Sequence, residues 1–86
     1  MPKKEFARCF GEVVRQHRKA QNLSQEHLAE KADLSSKMIS LVELAKRIPS
    51  LSVADCIASG LSIPLWLLVK ETEELRRKRS GIKKLK

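Results

Sequence analysis

The amino-acid sequence predicts an all-α protein that folds as one compact domain of five helices. Apolar residues recur at helical spacing almost everywhere, and no stretch shows the alternation of a half-buried strand. Aromatic residues make up 3% and hydrophobic residues 42%, a composition that suits helices built on Leu, Ile, Val and Ala. The 86 residues suffice for one domain and not for two. We place this domain at residues 1–79 and expect 80–86 to form a basic, disordered tail.

The first two helices are predicted from their apolar faces and from residues that favour helix ends. The first spans about Glu5–Gln21, with Phe6, Phe10, Val13, Val14 and His17 on one face. It ends at Asn22, because Asn tolerates the left-handed conformation found at helix ends. The second helix is short and begins after Ser24, a favourable N-cap. Its apolar face consists of Leu28, Ala29 and Ala32.

Three further helices follow, each with its own start signal. The third begins after Ser35 and the fourth after Ser50, both N-cap residues. Pro64 is expected in the first turn of the fifth helix, where its missing N–H does no harm. The fifth helix continues to about Arg79, and Gly81 breaks it. The apolar faces are formed by Met38, Ile39 and Val42 in the third helix, by Leu51, Ala54, Ile57, Ala58 and Leu61 in the fourth, and by Leu65, Leu68 and Leu75 in the fifth.

The second and third helices are joined by a turn of about three residues, Asp33–Ser35, which is typical of a helix-turn-helix. Two helices joined so tightly cross steeply, and the apolar residues that hold the crossing are Leu28, Ala32, Leu34, Ile39 and Val42. This crossing leaves the N-terminal half of the third helix exposed. Its outward residues are Ser36, Lys37, Ser40 and Leu41, and none is acidic. Such a face suits the major groove of DNA, although the two serines also fit ordinary solvated helix surface.

The formal net charge of +8 makes polyanions the natural partners, nucleic acid first and an anionic membrane surface second. Residues 1–69 hold ten Lys/Arg against seven Asp/Glu, whereas residues 70–86 hold eight against three. Most of the excess is therefore near the C-terminus, and bulk charge alone does not locate a DNA site.

Other classes of function are disfavoured by what the sequence lacks. Cys9 and Cys56 have no CxxC spacing, so we expect two buried free thiols and no metal site. The chain shows no catalytic constellation, which predicts that it is not an enzyme and has no cofactor or small-molecule effector. No apolar run approaches about 18 residues, and the N-terminus does not resemble a signal peptide. We therefore expect a cytoplasmic protein, associated with the nucleoid through DNA binding.

An ordered series of short motifs runs from residue 22 to residue 68. It reads Asn-Leu-Ser-Gln-Glu-x-Leu-Ala-Glu-Lys-Ala from 22, Leu-Ser at 34–35, Ile-Ser-Leu-Val-Glu from 39, Lys-Arg-x-Pro-Ser-Leu from 46 and Pro-Leu-Trp-Leu-Leu from 64. This series resembles the phage-repressor (Cro-type, XRE) family, over about Phe10 to Val69. The resemblance implies a lambda-repressor-like domain that acts as a two-fold dimer on a pseudo-palindromic operator in double-stranded DNA.

The same resemblance implies roles for individual residues. The base-reading positions are matched by Ser36, Lys37, Ser40 and Leu41. The phosphate-contacting positions are matched by Gln25, Ser35, Lys46 and Arg47. Arg18 and Glu43 match two positions that form an ion pair between the first and third helices. A partly buried charge at either position would also need a partner on physical grounds.

The chain departs from the family pattern at four positions. Asp33 stands where the turn usually has Gly, and Asp enters positive φ at some cost. Gly is also usual near Ala45, and without it we expect the third helix to extend slightly through Leu44 and Ala45. His17 and Asp55 occupy positions that are usually apolar, and we expect His17 to be partly buried with its polar edge at the rim.

The fifth helix carries a longer apolar stripe than so small a domain is expected to cover. We therefore predict a homodimer interface at Leu65, Trp66, Leu68 and Leu75, with two recognition helices about 34 Å apart. The basic segment 76–86 either contacts phosphate or forms a solvated helix end. Two alternatives stay open, a helix-turn-helix module that binds protein and a nonspecific nucleic-acid binder that uses its tail. A phage-type repressor, a restriction-modification controller and an antitoxin-like autoregulator fit the sequence equally well.

Overall fold

Five helices and no strand make up the part of the chain that the computed structural model describes, residues 2–80. In chain order they are α1 (Pro2–Ala20), α2 (Gln25–Ala32), α3 (Ser36–Glu43), α4 (Leu51–Gly60) and α5 (Leu65–Ser80). The all-α prediction is therefore confirmed. Residues 81–86 of the predicted tail lie outside the described part of the chain. Residue 80, which was also assigned to the tail, is the last residue of α5.

Serine side chains start the three central helices, as the sequence predicts. The hydroxyl oxygen of Ser24 accepts from the backbone N–H of His27 at 2.9 Å. Ser35 and Ser50 cap α3 and α4 in the same way, at 3.0 and 3.1 Å. A cap of this kind contributes about 1 kcal/mol to stability. Pro64 is not in the first turn of α5, because that helix begins one residue later, at Leu65.

Among residues 2–80, four residues other than glycine adopt the left-handed conformation, and each follows a helix. Asn22 and Asp33 have φ near 60°, as predicted, and Ser62 follows α4 in the same way. Ala45 also has a φ of 59°, so the expected extension of α3 through this residue is wrong. The helix ends at Glu43 because the backbone turns left-handed at Ala45, even though a Cβ there costs about 1–2 kcal/mol.

One hydrophobic core takes side chains from all five helices. Its fully buried members include Val14, Leu28, Ile39, Ile57 and Leu68. Leu51, which the spacing placed on the apolar face of α4, is 77% exposed, whereas Ala54 in the same turn is buried in the core. Cys9 is buried and Cys56 half-buried, so the prediction of two buried thiols holds fully only for Cys9. Burial raises the pKa of the Cys9 thiol above its ordinary value.

Helix α1 crosses the C-terminal end of α3 at Gly11. A Cβ atom at this position would lie 2.4 Å from the carbonyl oxygen of Val42 and 2.8 Å from that of Glu43. Both atoms belong to the backbone, so any larger residue would force the two helices apart. The absence of a side chain at Gly11 therefore sets how closely α1 supports the end of α3.

Candidate nucleic-acid interface

The connection between α2 and α3 is a tight turn held by backbone hydrogen bonds. The N–H of Leu34 donates to the carbonyl of Ala29 at 2.9 Å, and the N–H of Asp33 donates to that of Glu30 at 3.2 Å. The left-handed Asp33 reverses the chain, and Ser35 then starts α3 as its N-cap. The residues that hold the crossing are the buried Leu28, Ala32, Ile39 and Val42 and the half-buried Leu34. These contacts fix the angle at which α3 leaves the body of the protein.

The outer face of α3 carries the four residues matched to base-reading positions. Ser36 and Lys37 are exposed, whereas Ser40 and Leu41 are half-buried. The only carboxylate on α3 is Glu43, in its last turn, and its side chain is 3% exposed. The N-terminal face of the helix therefore presents hydroxyls, one ammonium and one aliphatic group, with no negative charge to repel phosphate.

A cluster of three polar side chains ties α1, α2 and α3 together behind this face. Arg18 Nε donates to Glu43 Oε2 at 2.7 Å, and its Nη2 donates to Oε1 at 3.1 Å. Arg18 Nη1 also donates to the carbonyl of Leu23 at 2.8 Å. The two side chains are 10% and 3% exposed, so this bidentate pair is almost fully removed from solvent.

Gln25 completes the cluster, a contact that the sequence did not reveal. Its Nε2 donates to Glu43 Oε1 at 3.0 Å, which holds the side chain at the first residue of α2. The amide oxygen and the second N–H of Gln25 have no partner in this cluster. The Arg18–Glu43 pair therefore also orients a residue matched to a phosphate-contacting position.

The loop after α3 presents Lys46 and Arg47, both exposed. The carbonyl of Leu41 accepts from the N–H of Lys46 at 2.9 Å and from that of Arg47 at 3.3 Å. The two cations are thus attached directly to the end of α3. Ser35 lies at the other end of the helix, where its hydroxyl oxygen accepts from Met38.

The four residues predicted at a dimer interface do not share one environment. Leu68 is fully buried within the chain itself, so its assignment to an interface is wrong, because the packing of α5 on the core already covers it. Leu65 and Leu75 are half-buried against the same core. Trp66 is 66% exposed and is the one member of the four that faces solvent.

An apolar cavity opens beside the exposed first turn of α4. It has a volume of about 310 Å³, and its lining includes Phe6, Phe10, Leu51 and Val69. This cavity was not predicted, because the apolar spacing placed Leu51 in the core. The position of Leu51 directly after the cap residue of α4 was the available signal in the sequence.

Two arginines of the basic segment fix α5 to α1. Arg79 Nη2 lies 2.8 Å from Glu12 Oε1, and the guanidinium carbon of Arg76 lies 5.4 Å from the ring centre of Phe6. These contacts give part of the C-terminal charge a structural role. His17 is partly buried as predicted, and its Nε2 lies 2.6 Å from Glu71 Oε1.

Within residues 2–80, no single helix is long and apolar enough to cross a membrane, although α4 and α5 together, bent by 103°, reach the length and composition required. That part of the chain also has no group of three or more His, Cys, Asp or Glu side chains placed to hold a metal ion.

Comparison with known proteins defines the class. Residues 14–65 match the model of a helix-turn-helix family, and the chain belongs to this XRE-type family. It is a DNA-binding transcription regulator. No curated protein is close enough in sequence to count as a match.

Two of the solved structures that are similar to this chain are restriction-modification controller proteins. The restriction-modification controller protein C.AhdI from Aeromonas hydrophila is 34% identical, with a TM-score of 0.70 over 72% of this chain and 94% of that chain. A single-residue mutant of the restriction-modification controller protein C.Esp1396I is 22% identical and shares the fold, with a TM-score of 0.75 over 80% of this chain and 90% of that chain.

Proposed function

We propose that the protein binds a pseudo-palindromic operator as a homodimer and reads its bases with the outer face of α3. The observation that carries the proposal is the acid-free surface of Ser36, Lys37, Ser40 and Leu41, held out from the body of the protein by a capped turn. The Lys37 ammonium donates to guanine O6 or N7, and Leu41 contacts a thymine methyl group. The serine hydroxyls donate or accept according to the base opposite.

Phosphate contacts on either side of this face orient α3 in the major groove. Gln25 lies at the start of α2, and Lys46 and Arg47 follow the end of α3. The hydroxyl hydrogen of Ser35 is not used in its cap, where the oxygen accepts, so it remains able to donate to phosphate. Contacts of this kind fix register and affinity and carry no sequence information.

The dimer proposal rests on Trp66, a large apolar side chain of α5 that is 66% exposed. A two-fold interface uses the same patch on both copies, and large aromatic side chains dominate the energy of such interfaces. We expect Trp66→Ser to shift the protein to monomer in sedimentation experiments. Leu44→Ser is the matched control, since Leu44 is similarly exposed at 61% but lies at the end of α3. A Trp66→Ser variant that stays dimeric would contradict this interface.

Of the three biological settings that fit the sequence, we favour control of a restriction-modification operon. The support is the similarity to C.AhdI, which spans 94% of that controller protein. In such a setting the regulator acts through its own concentration, because monomers must associate before they occupy both half-sites.

Selection of bound sequences from random duplex DNA tests the proposed function. A two-fold symmetric motif with half-site centres about one helical turn apart is the expected result. Recovery of no enriched motif would contradict specific reading and would favour a protein-interaction module. Deletion of residues 81–86 tests the other alternative, because a nonspecific binder that uses its tail would lose most of its affinity.

A further inference from the structure

Helix α1 lines an open groove beside the end of α3, next to the residues proposed to contact DNA. The groove has a volume of about 500 Å³. Three cations of α1 line one side, Arg8, Arg15 and Lys19, and Leu44 and Ala45 line the other. The three cations follow one another at helical spacing, so they lie along one face of α1.

The carboxylates that line this groove are already neutralised. Glu12 Oε1 lies 2.8 Å from Arg79 Nη2. Glu43 accepts two hydrogen bonds from Arg18 in the buried cluster. Neither carboxylate therefore offsets the remaining cations of α1, and the groove carries excess positive charge.

Those cations are exposed and weakly paired. Within residues 2–80, Arg15 and Lys19 form no ion pair, and Arg8 has only a 4.0 Å contact with Glu5 on the surface. Surface contacts of this length contribute little to stability, so they do not explain why the charges lie together.

The carbonyl groups at the C-terminal end of α3, where the helix dipole is negative, do not repel an anion in this groove. The carbonyl oxygens of Val42 and Glu43 are covered by Gly11, and that of Val42 accepts from the N–H of Ala45 at 3.0 Å. Beyond Ala45 the chain continues directly into Lys46 and Arg47. Because Ala45 lines the groove, the loop proposed to hold the DNA backbone begins at the edge of this groove.

We propose that this groove binds the phosphate backbone of DNA that flanks the recognised half-site, with Arg15 and Lys19 as the contacting residues. The proposal rests on the proposed function and extends the operator beyond the bases that α3 reads. The start of the Lys46–Arg47 loop at the edge of the groove favours DNA over an acidic protein partner, because the phosphates of one strand can reach both groups of cations. Such contacts raise affinity for any flanking sequence.

The test compares Arg15→Gln/Lys19→Gln with Lys31→Gln/Lys70→Gln, which removes the same charge from exposed positions outside the groove. Each protein is titrated against duplexes that carry the selected motif with flanks of about 2 or 10 base pairs, over a range of salt concentration. We expect wild-type protein to bind the long duplex more tightly and with a steeper salt dependence. Arg15→Gln/Lys19→Gln, the groove variant, should reduce the slope of log K against log salt concentration by about 2 per protomer, and on the long duplex only. Each of the two lost phosphate contacts contributes about 0.9 to that slope.

The outcomes separate this proposal from the function on which it rests. A groove variant that keeps its motif and loses the advantage of the long duplex supports phosphate binding in the groove. A groove variant that matches the control on both duplexes would overturn the proposal, leave specific reading intact and point to a different partner. If wild-type protein enriches no motif from random duplex DNA, the proposed function and this inference are contradicted together.

Discussion

Replacing Glu43 by Leu tests how far the helix-turn-helix depends on the buried cluster behind it. The substitution removes the acceptor of two hydrogen bonds from Arg18, at 2.7 and 3.1 Å, and of one from Gln25. Arg18 is left with the carbonyl of Leu23 as its remaining partner. Because the Arg18 side chain is only 10% exposed, its charge remains buried without compensation. Breaking a buried pair in this way costs about 3–5 kcal/mol.

Urea unfolding followed by circular dichroism measures this loss, and a double variant isolates its cause. For a domain of this size, each 1 kcal/mol also lowers Tm by about 4–8 °C. Arg18→Met/Glu43→Leu removes both charges and leaves only neutral groups unpaired, so we expect it to cost less than about 2 kcal/mol. A single Glu43→Leu variant that loses under about 1 kcal/mol would refute the reasoning. A double variant less stable than the single one would do so as well.

Four further predictions concern a helix crossing, a helix end and a buried thiol. Gly11→Ala should destabilise the protein by about 3 kcal/mol or more, because the new Cβ would lie 2.4 Å from the carbonyl oxygen of Val42. Urea unfolding measures this loss, and a loss near zero would contradict the close crossing of α1 and α3. Ala45→Gly should raise the free energy of unfolding by about 0.5–1 kcal/mol in the same assay. The relief of left-handed strain exceeds the conformational entropy that Gly adds to the unfolded chain. A lower free energy of unfolding would show that the strain is absent. Cys9 should react with iodoacetamide far more slowly than Cys56, because burial raises the pKa of its thiol and blocks access, so equal rates would contradict its burial. The raised pKa also predicts that the contribution of Cys9 to stability is complete below the ordinary thiol pKa of about 8.5 and is lost at more alkaline pH, where the unfolded chain ionises first.

Features set by neighbouring residues were predictable from sequence alone. The caps at Ser24, Ser35 and Ser50 depend on a hydroxyl one residue before a helix, and the left-handed turns at Asn22 and Asp33 depend on side chains that tolerate positive φ. The outward face of α3 follows from its period and from the tight turn before it. These are local properties, so the order of residue types suffices to predict them.

Features set by distant residues were not predictable in the same way. The burial of Leu68 and the exposure of Leu51 depend on where α5 and α4 meet the core, which spacing within each helix does not encode. The bond from Gln25 to Glu43 joins residues 18 positions apart, and only the crossing of α2 with α3 brings them together. The prediction that α3 extends through Ala45 failed because hydrogen bonding at the end of the helix overrides the steric preference of alanine.

Binding of the Lys37→Ala variant to the selected motif tests the central claim most directly. Affinity is measured for the motif and for single-base-pair variants of it at fixed salt, with Lys31→Ala as the control for loss of one exposed charge. We predict that Lys37→Ala loses about 1–3 kcal/mol on the motif and tolerates substitution at one base pair in each half-site. A variant that weakens equally on every duplex, or that matches Lys31→Ala throughout, would contradict base reading by α3.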